Sequence, residues 1–428
     1  MSNNRDFLLK NAVEVGGPTK VTLGTVTSND IDLATGNYFA DTPSGTSTYT
    51  ISNAGDVQSF QLEVTGGTAE VLSNFSTTLY TGNESTQTIT NGLDLATDGG
   101  LVWVKDRVNN ITHGLFDTGR GIYKVLDSAS NAVEETHTTS LTAFNSDGFT
   151  LGNRSDYNGA SRSYVSWGFK RSDSFFDVVT YTGDGTSDRV INHSLNCDAG
   201  FIVIKKRNST TSGDWYTWHR SDVDRYMRLN ESAASASAVD YLNPTSTTFT
   251  LQAGGTNTNG DTYVAYLFAH DDAADGLIQC GSYTGTGSAG NAVTLGWEPQ
   301  WLMIKRTDAA QQWPIVDSVR GMSETGQVKQ LRANSSFSES TVNDKASPSA
   351  TGFTLNDGDA EWNGSGGTYI YIAIRAASDL DLTWPSSIEW AGGVAPSAPA
   401  TGETDVFTLS TDDGGTSYVG VKTADNLS

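Results

Sequence analysis

The sequence has little cysteine, no long apolar run and no export signal, and each shortage argues against a class of protein. Only two cysteines occur among 428 residues, Cys197 and Cys280. They occupy non-equivalent positions of the internal repeat described below, so we expect reduced thiols rather than a disulfide or metal framework. The apolar stretches are strand-sized, which predicts no membrane insertion. Met1 to Val13 lacks an apolar core and a cleavage site, so no signal peptide is expected.

Basic residues are scarce as well. Lysine and arginine total 26 against 49 aspartates and glutamates, which gives a formal charge of −23 with no basic block. Nucleic acid is therefore not an expected partner, because phosphate neutralisation needs clustered cations. An acidic balance mainly serves solubility.

The strongly typed motifs of enzymes are absent from the sequence. There is no phosphate-binding Gly-x-x-x-x-Gly-Lys, no His-Glu-x-x-His, no Cys-x-x-Cys and no Gly-x-Ser-x-Gly. The five histidines are His113, His137, His193, His219 and His270, and they fall at different positions of the repeat. A site inherited by duplication would place them in register. We therefore expect no catalytic residues, no metal and no cofactor.

An internal repeat is the most informative feature that is present. The runs Leu-Val-Trp-Val-Lys, Phe-Ile-Val-Ile-Lys and Trp-Leu-Met-Ile-Lys end at Lys105, Lys205 and Lys305, 100 residues apart each time. Further landmarks recur in the same order, namely Tyr-Thr-Gly (Tyr80, Tyr181, Tyr283), an arginine (Arg120, Arg220, Arg320), Phe-Thr-Leu (Phe149, Phe249, Phe353), Asn-Gly (Asn158, Asn259, Asn363) and a strand that opens with tyrosine (Tyr164, Tyr263, Tyr369). The period is too long for a solenoid unit, so each repeat is interpreted as a domain.

Within each repeat, short apolar runs are separated by glycine, asparagine, aspartate and serine, which is typical of antiparallel sheets. We predict an all-β fold with a small N-terminal β domain, three tandem antiparallel β-sandwich repeats and a C-terminal β-hairpin. The predicted limits are 1–17 for an attachment segment, 18–75 for the N-terminal domain, 76–172, 173–273 and 276–378 for the repeats, 379–402 for a linker and 403–428 for the hairpin.

The strand that ends at each repeated lysine is apolar on both faces. Leu101 and Trp103 point to one side, and Val102 and Val104 point to the other. A two-sheet sandwich covers only one face of such a strand. Closed symmetry is the common way for identical chains to bury a repeated apolar surface. This predicts a homo-oligomer in which like chains cover the second face.

Several of these motifs resemble those of a known protein class. The stretch Thr19 to Gly67, the three repeats with the strand Thr-Tyr-Ile-Tyr-Ile-Ala-Ile at 368–374, and the hairpin turn Asp412-Asp-Gly-Gly415 are similar to tail-fibre and related virion structural proteins of marine phages, chiefly cyanophages. Their repeated β domain has no known function. The resemblance implies a virion location, N-terminal attachment to other virion proteins and a homotrimer. It carries no catalytic residue set.

Candidate site residues come from the aromatic and charged positions. Trp215, Trp218 and Trp362 are candidates for glycan binding, because exposed indoles stack on sugars. Asp117 and Asp317 precede Arg120 and Arg320 by three residues, a spacing that is typical of a stabilising ion pair. We interpret Lys105, Lys205 and Lys305 as strand ends rather than as a binding row.

The sequence therefore favours a non-enzymatic structural and adhesive protein of a bacteriophage particle, of the tail-fibre type. Its repeats are expected to serve as a spacer or as a surface that binds a host glycan. Two alternatives stay open. A capsid head decoration or head-fibre protein would use the same sandwiches on the capsid lattice. A capsule-degrading glycosidase would need a pair of carboxylates across the sugar, and Asp117 and Asp317 are its candidates.

Overall fold

The computed structural model describes residues 74–238, 242–273, 276–322, 327–343 and 345–376, together with shorter stretches between 26 and 65 and between 382 and 427. The predicted attachment segment 1–17 and much of the predicted linker lie outside the described residues. Two compact units are present. One contains residues 70–377, and the other combines residues 1–69 with 378–428.

The all-β prediction is confirmed, since the described chain is built from strands with one short helix, α1 at Ser155–Asn158. No helix in the described part is long and apolar enough to cross a membrane. Residues 70–377 contain all three predicted repeats. The limits drawn between the repeats stay predictions.

Each repeat contributes nine described strands. The first has β7 Phe75–Thr81, β8 Gln87–Thr90, β9 Gly100–Asp106, β10 Gly114–Asp117, β11 Lys124–Val125, β12 Glu135–Thr136, β13 Leu141–Asn145, β14 Gly148–Leu151 and β15 Ser163–Lys170. The second has β16 Phe176–Thr182, β17 Arg189–Asn192, β18 Ala199–Lys206, β19 Trp215–His219, β20 Arg225–Arg228, β21 Ala236–Ser237, β22 Leu242–Pro244, β23 Thr248–Leu251 and β24 Thr262–Ala269. The third has β25 Ile278–Thr284, β26 Asn291–Thr294, β27 Pro299–Arg306, β28 Pro314–Asp317, β29 Gln327–Arg332, β30 Ser340–Asn343, β31 Ala346–Ser349, β32 Gly352–Leu355 and β33 Thr368–Arg375.

The three sets of strands share one topology. The larger sheets have the orders β16-β24-β18-β19-β20-β21 and β25-β33-β27-β28-β29-β30, and the first repeat matches them with β7-β15-β9-β10 and the pair β11-β12. The smaller sheets are β13-β14-β8, β17-β23-β22 and β26-β32-β31. The registers agree too, because Lys105, Lys205 and Lys305 pair with Val165, Val264 and Ile370. Each repeat is therefore a two-sheet sandwich with the same strand pairing.

Glycine is required where β13 turns into β14. Gly148 has φ +133°, and a Cβ atom there would lie 2.1 Å from the carbonyl oxygen of Ile89. Gly352 has φ +154° at the equivalent turn, and its Cβ would lie 2.0 Å from the carbonyl oxygen of Val293. Because only glycine tolerates this backbone so close to a neighbouring strand, the residue is fixed by the sheet itself.

The two apolar faces of the lysine-ended strands enter different cores. Val102 and Val104 face the sandwich of their own repeat with Phe149 and Leu151. Leu101 and Trp103 belong to a central core that also holds side chains of the second and third repeats. The ring of Phe169 packs against side chains of both other repeats. Its centroid lies 5.4 Å from that of Phe268 in the second repeat and 5.9 Å from that of Trp301 in the third.

The prediction that like chains cover the second apolar face is therefore wrong for these strands. Trp103 and Trp301 are 2% and 1% exposed in the single chain, because neighbouring repeats of the same chain cover them. The number of chains in the assembled protein stays a prediction.

The other compact unit is a β structure made from both ends of the chain. Its strands are β1 Val26–Thr27, β2 Asp30–Asp32, β3 Tyr38–Asp41, β4 Ser47–Thr48, β5 Thr50–Ser52, β6 Gln58–Thr65, β34 Leu382–Thr383, β35 Ile388–Trp390, β36 Thr404–Thr411 and β37 Tyr418–Leu427. The predicted C-terminal hairpin is β36 and β37, and β36 also pairs with β6, giving the sheet order β3-β6-β36-β37-β35. Phe60, Leu62 and Phe407 share its core. The predicted N-terminal domain and C-terminal hairpin are therefore parts of one unit rather than separate domains.

Candidate functional site

The three tryptophans predicted to bind glycan lie inside the protein. Trp215 and Trp362 are 0% exposed and Trp218 is 4% exposed. Their polar flanking residues suggested exposure, but Thr217 and His219 beside Trp218, and Glu361 and Asn363 beside Trp362, are buried as well. Buried rings offer no stacking surface to a sugar, so this prediction is wrong.

The paired aspartates and arginines form buried ion pairs at two places where repeats meet. Arg120 Nε donates to Asp117 Oδ2 at 2.5 Å, and Arg320 Nε donates to Asp317 Oδ2 at 2.6 Å. Both aspartates are fully buried. Burial opposes the charged form of Arg120, but the charge of Asp117 outweighs it and raises the pKa of the guanidinium. The predicted structural ion pair is thus present in the first and third repeats.

Each of these aspartates also accepts a hydrogen bond from another repeat. The Tyr266 hydroxyl donates to Asp117 at 2.7 Å, and Trp167 Nε1 donates to Asp317 at 2.9 Å. His219 holds the equivalent position in the second repeat, where its Nε2 lies 3.1 Å from the carbonyl oxygen of Tyr371. Burial lowers the pKa of His219 to about 3. Arg220, which aligned with the other two arginines, is exposed.

A second layer of contacts connects the same pairs of repeats. Arg207 makes a bidentate pair with Glu134 at 2.8 and 3.0 Å, and Arg107 makes one with Glu339 at 2.9 Å in both bonds. Backbone bonds run beside them, from Glu134 N to Arg207 O and from Glu339 N to Arg107 O. The third equivalent is uncharged, since Ser235 N donates to Thr307 O at 2.8 Å.

A third layer uses ring nitrogens at the residue opposite each repeated lysine. Trp215 Nε1 donates to the carbonyl oxygens of Asp127 and Ser130, and Trp313 Nε1 donates to those of Arg228 and Glu231. His113 takes this place in the first repeat, and its Nε2 contacts the carbonyl oxygens of Arg332 and Ser335 at 3.0 and 3.2 Å.

The repeated lysines lie at the same contacts and are fully buried. Lys205 Nζ donates to Asn131 O at 3.3 Å, and Lys305 Nζ donates to Ser232 O at 2.9 Å. Lys105 Nζ donates within its own repeat, to Asp106 O at 2.6 Å. Burial lowers the pKa of all three amines to about 8. They lie near the ends of β9, β18 and β27, but their amines are buried inside the protein and do not reach water as those of strand-end lysines usually do.

Together the three layers close the repeats into a ring. We call the contacts between the first and second repeats joint 1–2, and name joint 2–3 and joint 3–1 in the same way. Equivalent residues pair the first repeat with the second, the second with the third and the third with the first, although no peptide connects the third directly to the first. Head-to-tail contacts that return to their start after three steps define a cyclic arrangement. Residues 70–377 are therefore a closed three-repeat ring with pseudo-three-fold order.

Four charged residues of the joints were not predicted from the sequence, namely Arg107, Arg207, Glu134 and Glu339. A signal was available, because Arg107 and Arg207 both follow a repeated lysine by two residues. The glutamates are harder to find, since their partner lies in another repeat.

The carboxylates proposed for a glycosidase do not form a catalytic pair in this geometry. Asp117 and Asp317 are buried in different joints, and each is held by its own arginine. Among the described residues, no group of three or more histidines, cysteines, aspartates or glutamates is placed to hold a metal ion. Cys197 and Cys280 are free thiols.

Comparison with known proteins gives one extensive match. A family model described as "Domain of unknown function (DUF7483)" matches residues 72–377, which is the span of the ring. No curated protein matches. One of the similar solved structures is entitled "Crystal Structure of the STIV MCP". It is 7% identical, the match covers 75% of this chain and 92% of that chain, and the TM-score is 0.14. A similarity this low carries no argument about fold or function.

Proposed function

Because this chain belongs to the DUF7483 family, whose description assigns no function, we propose its function from the geometry of the joints. The chain is a non-enzymatic structural protein of a bacteriophage particle, of the tail-fibre type, and the ring is its rigid body. The observation that carries this proposal is the use of buried charge. Ion-paired aspartates of two repeats, lysines of two repeats and ring nitrogens of all three contact a neighbouring repeat rather than a cleft.

Rigidity is the physical property that these contacts supply. Two joints hold bidentate arginine–carboxylate pairs, whose planar geometry fixes orientation as well as distance. Removing one partner of a buried pair leaves an uncompensated charge, so joints 1–2 and 3–1 resist opening. A spacer or adhesive body on a particle has to transmit load without hinging between its domains, and the ring meets that requirement.

The wider role follows from the sequence resemblance to marine phage tail-fibre proteins. On this proposal, the N-terminal segment attaches the chain to other virion proteins, and the chain takes its place in a homotrimer of like chains. The ring then serves as a spacer or as a surface for a host glycan. Its location is the virion.

Locating the chain on the particle tests the proposal. Antibodies against the full-length chain should label purified particles of the phage that encodes it, and electron microscopy should show the label on the tail. Label on capsid faces would favour a head decoration protein instead. Particles without the chain would refute a virion role.

Activity assays test the non-enzymatic part. Incubation of the full-length protein with host envelope polysaccharide should release no reducing sugar. Release that is lost in Asp117→Asn or Asp317→Asn, with the fold intact by circular dichroism, would overturn this part of the proposal.

A further inference from the structure

A groove opens on the first repeat, beside joint 1–2. Its volume is about 580 Å³, within the range of roughly 300 to 1,000 Å³ that small-molecule sites occupy. Its lining comes from the loop before β9, the loop after β10 and the edge strand β13, and includes Leu95, Thr97, Thr118, Ile122, Thr142 and Phe144. Asp98 and Arg171 also line it.

At the equivalent place of the third repeat, larger side chains are buried. Thr97 corresponds to Trp297 and Ile122 to Met322, each 200 residues further along the chain. Trp297 and Met322 are both 3% exposed and belong to the core of the third repeat. Thr97 and Ile122 are exposed. The groove therefore exists where the first repeat lacks the indole and thioether that fill the third.

The lining combines hydroxyl groups with apolar surface and paired charges. Thr97, Thr118 and Thr142 bring hydroxyls, and the half-buried ring of Phe144 brings an apolar face. The Thr118 hydroxyl accepts from Gly100 N and can still donate, whereas the Thr142 hydroxyl donates to Thr150 O and can still accept. The charged groups already have partners, since Asp98 lies 3.1 Å from Lys170 and Arg171 lies 2.7 Å from Asp177. A neutral ligand with both hydroxyl groups and C–H faces complements such a lining, whereas an ionic ligand would have to displace an existing partner.

The edge strand in the groove is too short for an added peptide strand. Tyr123 N donates to Leu141 O at 3.0 Å, and Leu95 N donates to Asn145 O at 3.0 Å, so both ends of β13 are occupied. Three residues, 142–144, stay between these bonds. A peptide that binds by strand addition needs a longer row of main-chain partners.

We propose that this groove binds a neutral saccharide, one or two sugar units of a longer glycan. The proposal deepens the adhesive role proposed above and rests on it for its biological meaning, because a host-facing surface needs a site for the host. The candidate glycan site is then this groove, which is open to solvent, rather than the buried tryptophans. Threonine hydroxyls and the groups of Asp98 and Arg171 hydrogen-bond the sugar hydroxyls, and Phe144 packs on a C–H face.

Saturation-transfer NMR on the full-length protein tests the site. The probes are the methyl glycosides of glucose, galactose, mannose and N-acetylglucosamine at about 10 mM, where a millimolar site is largely occupied. At least one of these glycosides should show saturation transfer from the protein. The Thr97→Trp substitution, which copies the third repeat, should weaken binding at least tenfold. Phe144→Leu, which keeps an apolar side chain, should weaken it less.

Val190→Trp is the matched control, because it adds an exposed indole to the second repeat, where Val190 is 56% exposed. It should leave saccharide binding unchanged, and thermal unfolding should confirm that all variants fold. Failure of all four glycosides to bind would overturn the proposal. Unchanged binding in Thr97→Trp, or binding of an extended peptide in place of sugars, would overturn it as well. These outcomes are independent of where particle labelling places the chain.

Discussion

At the scale of single residues, the buried aspartates of the joints are the most sensitive positions. Asp117→Asn keeps the shape but removes the charge that pairs with Arg120 Nε, and leaves the guanidinium only the longer ion pair with Glu134 at 3.3 Å. We expect the free energy of unfolding to fall by about 3 to 5 kcal/mol, measured by equilibrium unfolding in urea. Asp147→Asn, at an exposed turn, should change it by less than about 0.5 kcal/mol. Equal effects of the two substitutions would contradict a joint held by charge.

The three buried lysines predict how stability depends on pH. Their pKa is about 8 in the folded chain, against an ordinary value of 10.5. Between these values the unfolded chain binds more protons than the folded chain, so stability rises as the pH increases from 8. We expect a gain of about 2 kcal/mol per lysine between pH 8 and pH 10, since one pKa unit corresponds to about 1.4 kcal/mol. Above that pH the trend reverses, because burial raises the pKa of Tyr80, Tyr266 and Tyr283 and their unfolded forms ionise first.

Urea unfolding at a series of pH values checks this prediction. Lys205→Met removes one of the three amines. The rise in the free energy of unfolding between pH 8 and 10 should therefore become smaller by about a third. A wild-type stability that falls steadily through this window would show that the amines are not buried as described.

At the scale of strands and their joints, substitutions at the two charged joints should lower the free energy of unfolding more than a substitution at the uncharged joint. Arg107→Met and Arg207→Met each leave a largely buried glutamate without its bidentate partner, and should lower the free energy of unfolding by about 2 kcal/mol. Thr307→Val at joint 2–3 keeps the backbone bond from Ser235 and should lower it by less than 1 kcal/mol, roughly.

A double-mutant cycle with Glu134→Gln and Arg207→Met isolates the pair itself. A coupling energy near zero would mean that the backbone bonds alone hold joint 1–2. Among the described residues no arginine–carboxylate pair bridges joint 2–3, so hydrogen exchange should be fastest there.

The strands and their repetition are readable from the sequence because both are local. Short apolar runs bounded by turn residues identify β9, β18 and β27, and their spacing aligns the repeated lysines. One landmark was misaligned. Asn257, rather than Asn259, is equivalent to Asn158 and Asn363, since the side chains of these three donate to the backbone of the loop after the first strand.

The joints are not readable from the sequence, because each depends on residues in different repeats. Glu339 meets Arg107 across 232 residues, and nothing near either residue indicates the other. The predicted exposure of the tryptophans was wrong for a related reason. A polar neighbourhood in sequence describes the strand itself, whereas the burial of Trp215 and Trp218 depends on what lies against that strand.

At the scale of the whole molecule, the shared central core predicts that a change in one repeat is felt in another. The Trp301 ring lies 6.3 Å from that of Phe75 and 5.9 Å from that of Phe169, both in the first repeat. Trp301→Ala should cost about 3 to 5 kcal/mol and should speed hydrogen exchange in β7 and β15.

Trp362→Ala is the matched control. Trp362 is equally buried, but it belongs to the separate core of the third repeat. It should destabilise that repeat and leave exchange in β7 and β15 closer to wild type. If the effect of Trp301→Ala stayed within the third repeat, the repeats would be independent domains rather than one ring.

Closure of joint 3–1 also sets a time order for biosynthesis. Arg107 leaves the ribosome 232 residues before Glu339, which at about 5 to 20 residues per second is a delay of roughly 10 to 50 s. During that interval the apolar side of the first repeat, which carries Leu101 and Trp103, has no third repeat to cover it. The nascent chain is then at its most vulnerable to chaperone capture, proteolysis and aggregation with neighbouring nascent chains. Slower translation of the third repeat should therefore lower the yield of folded protein more than slower translation of the first.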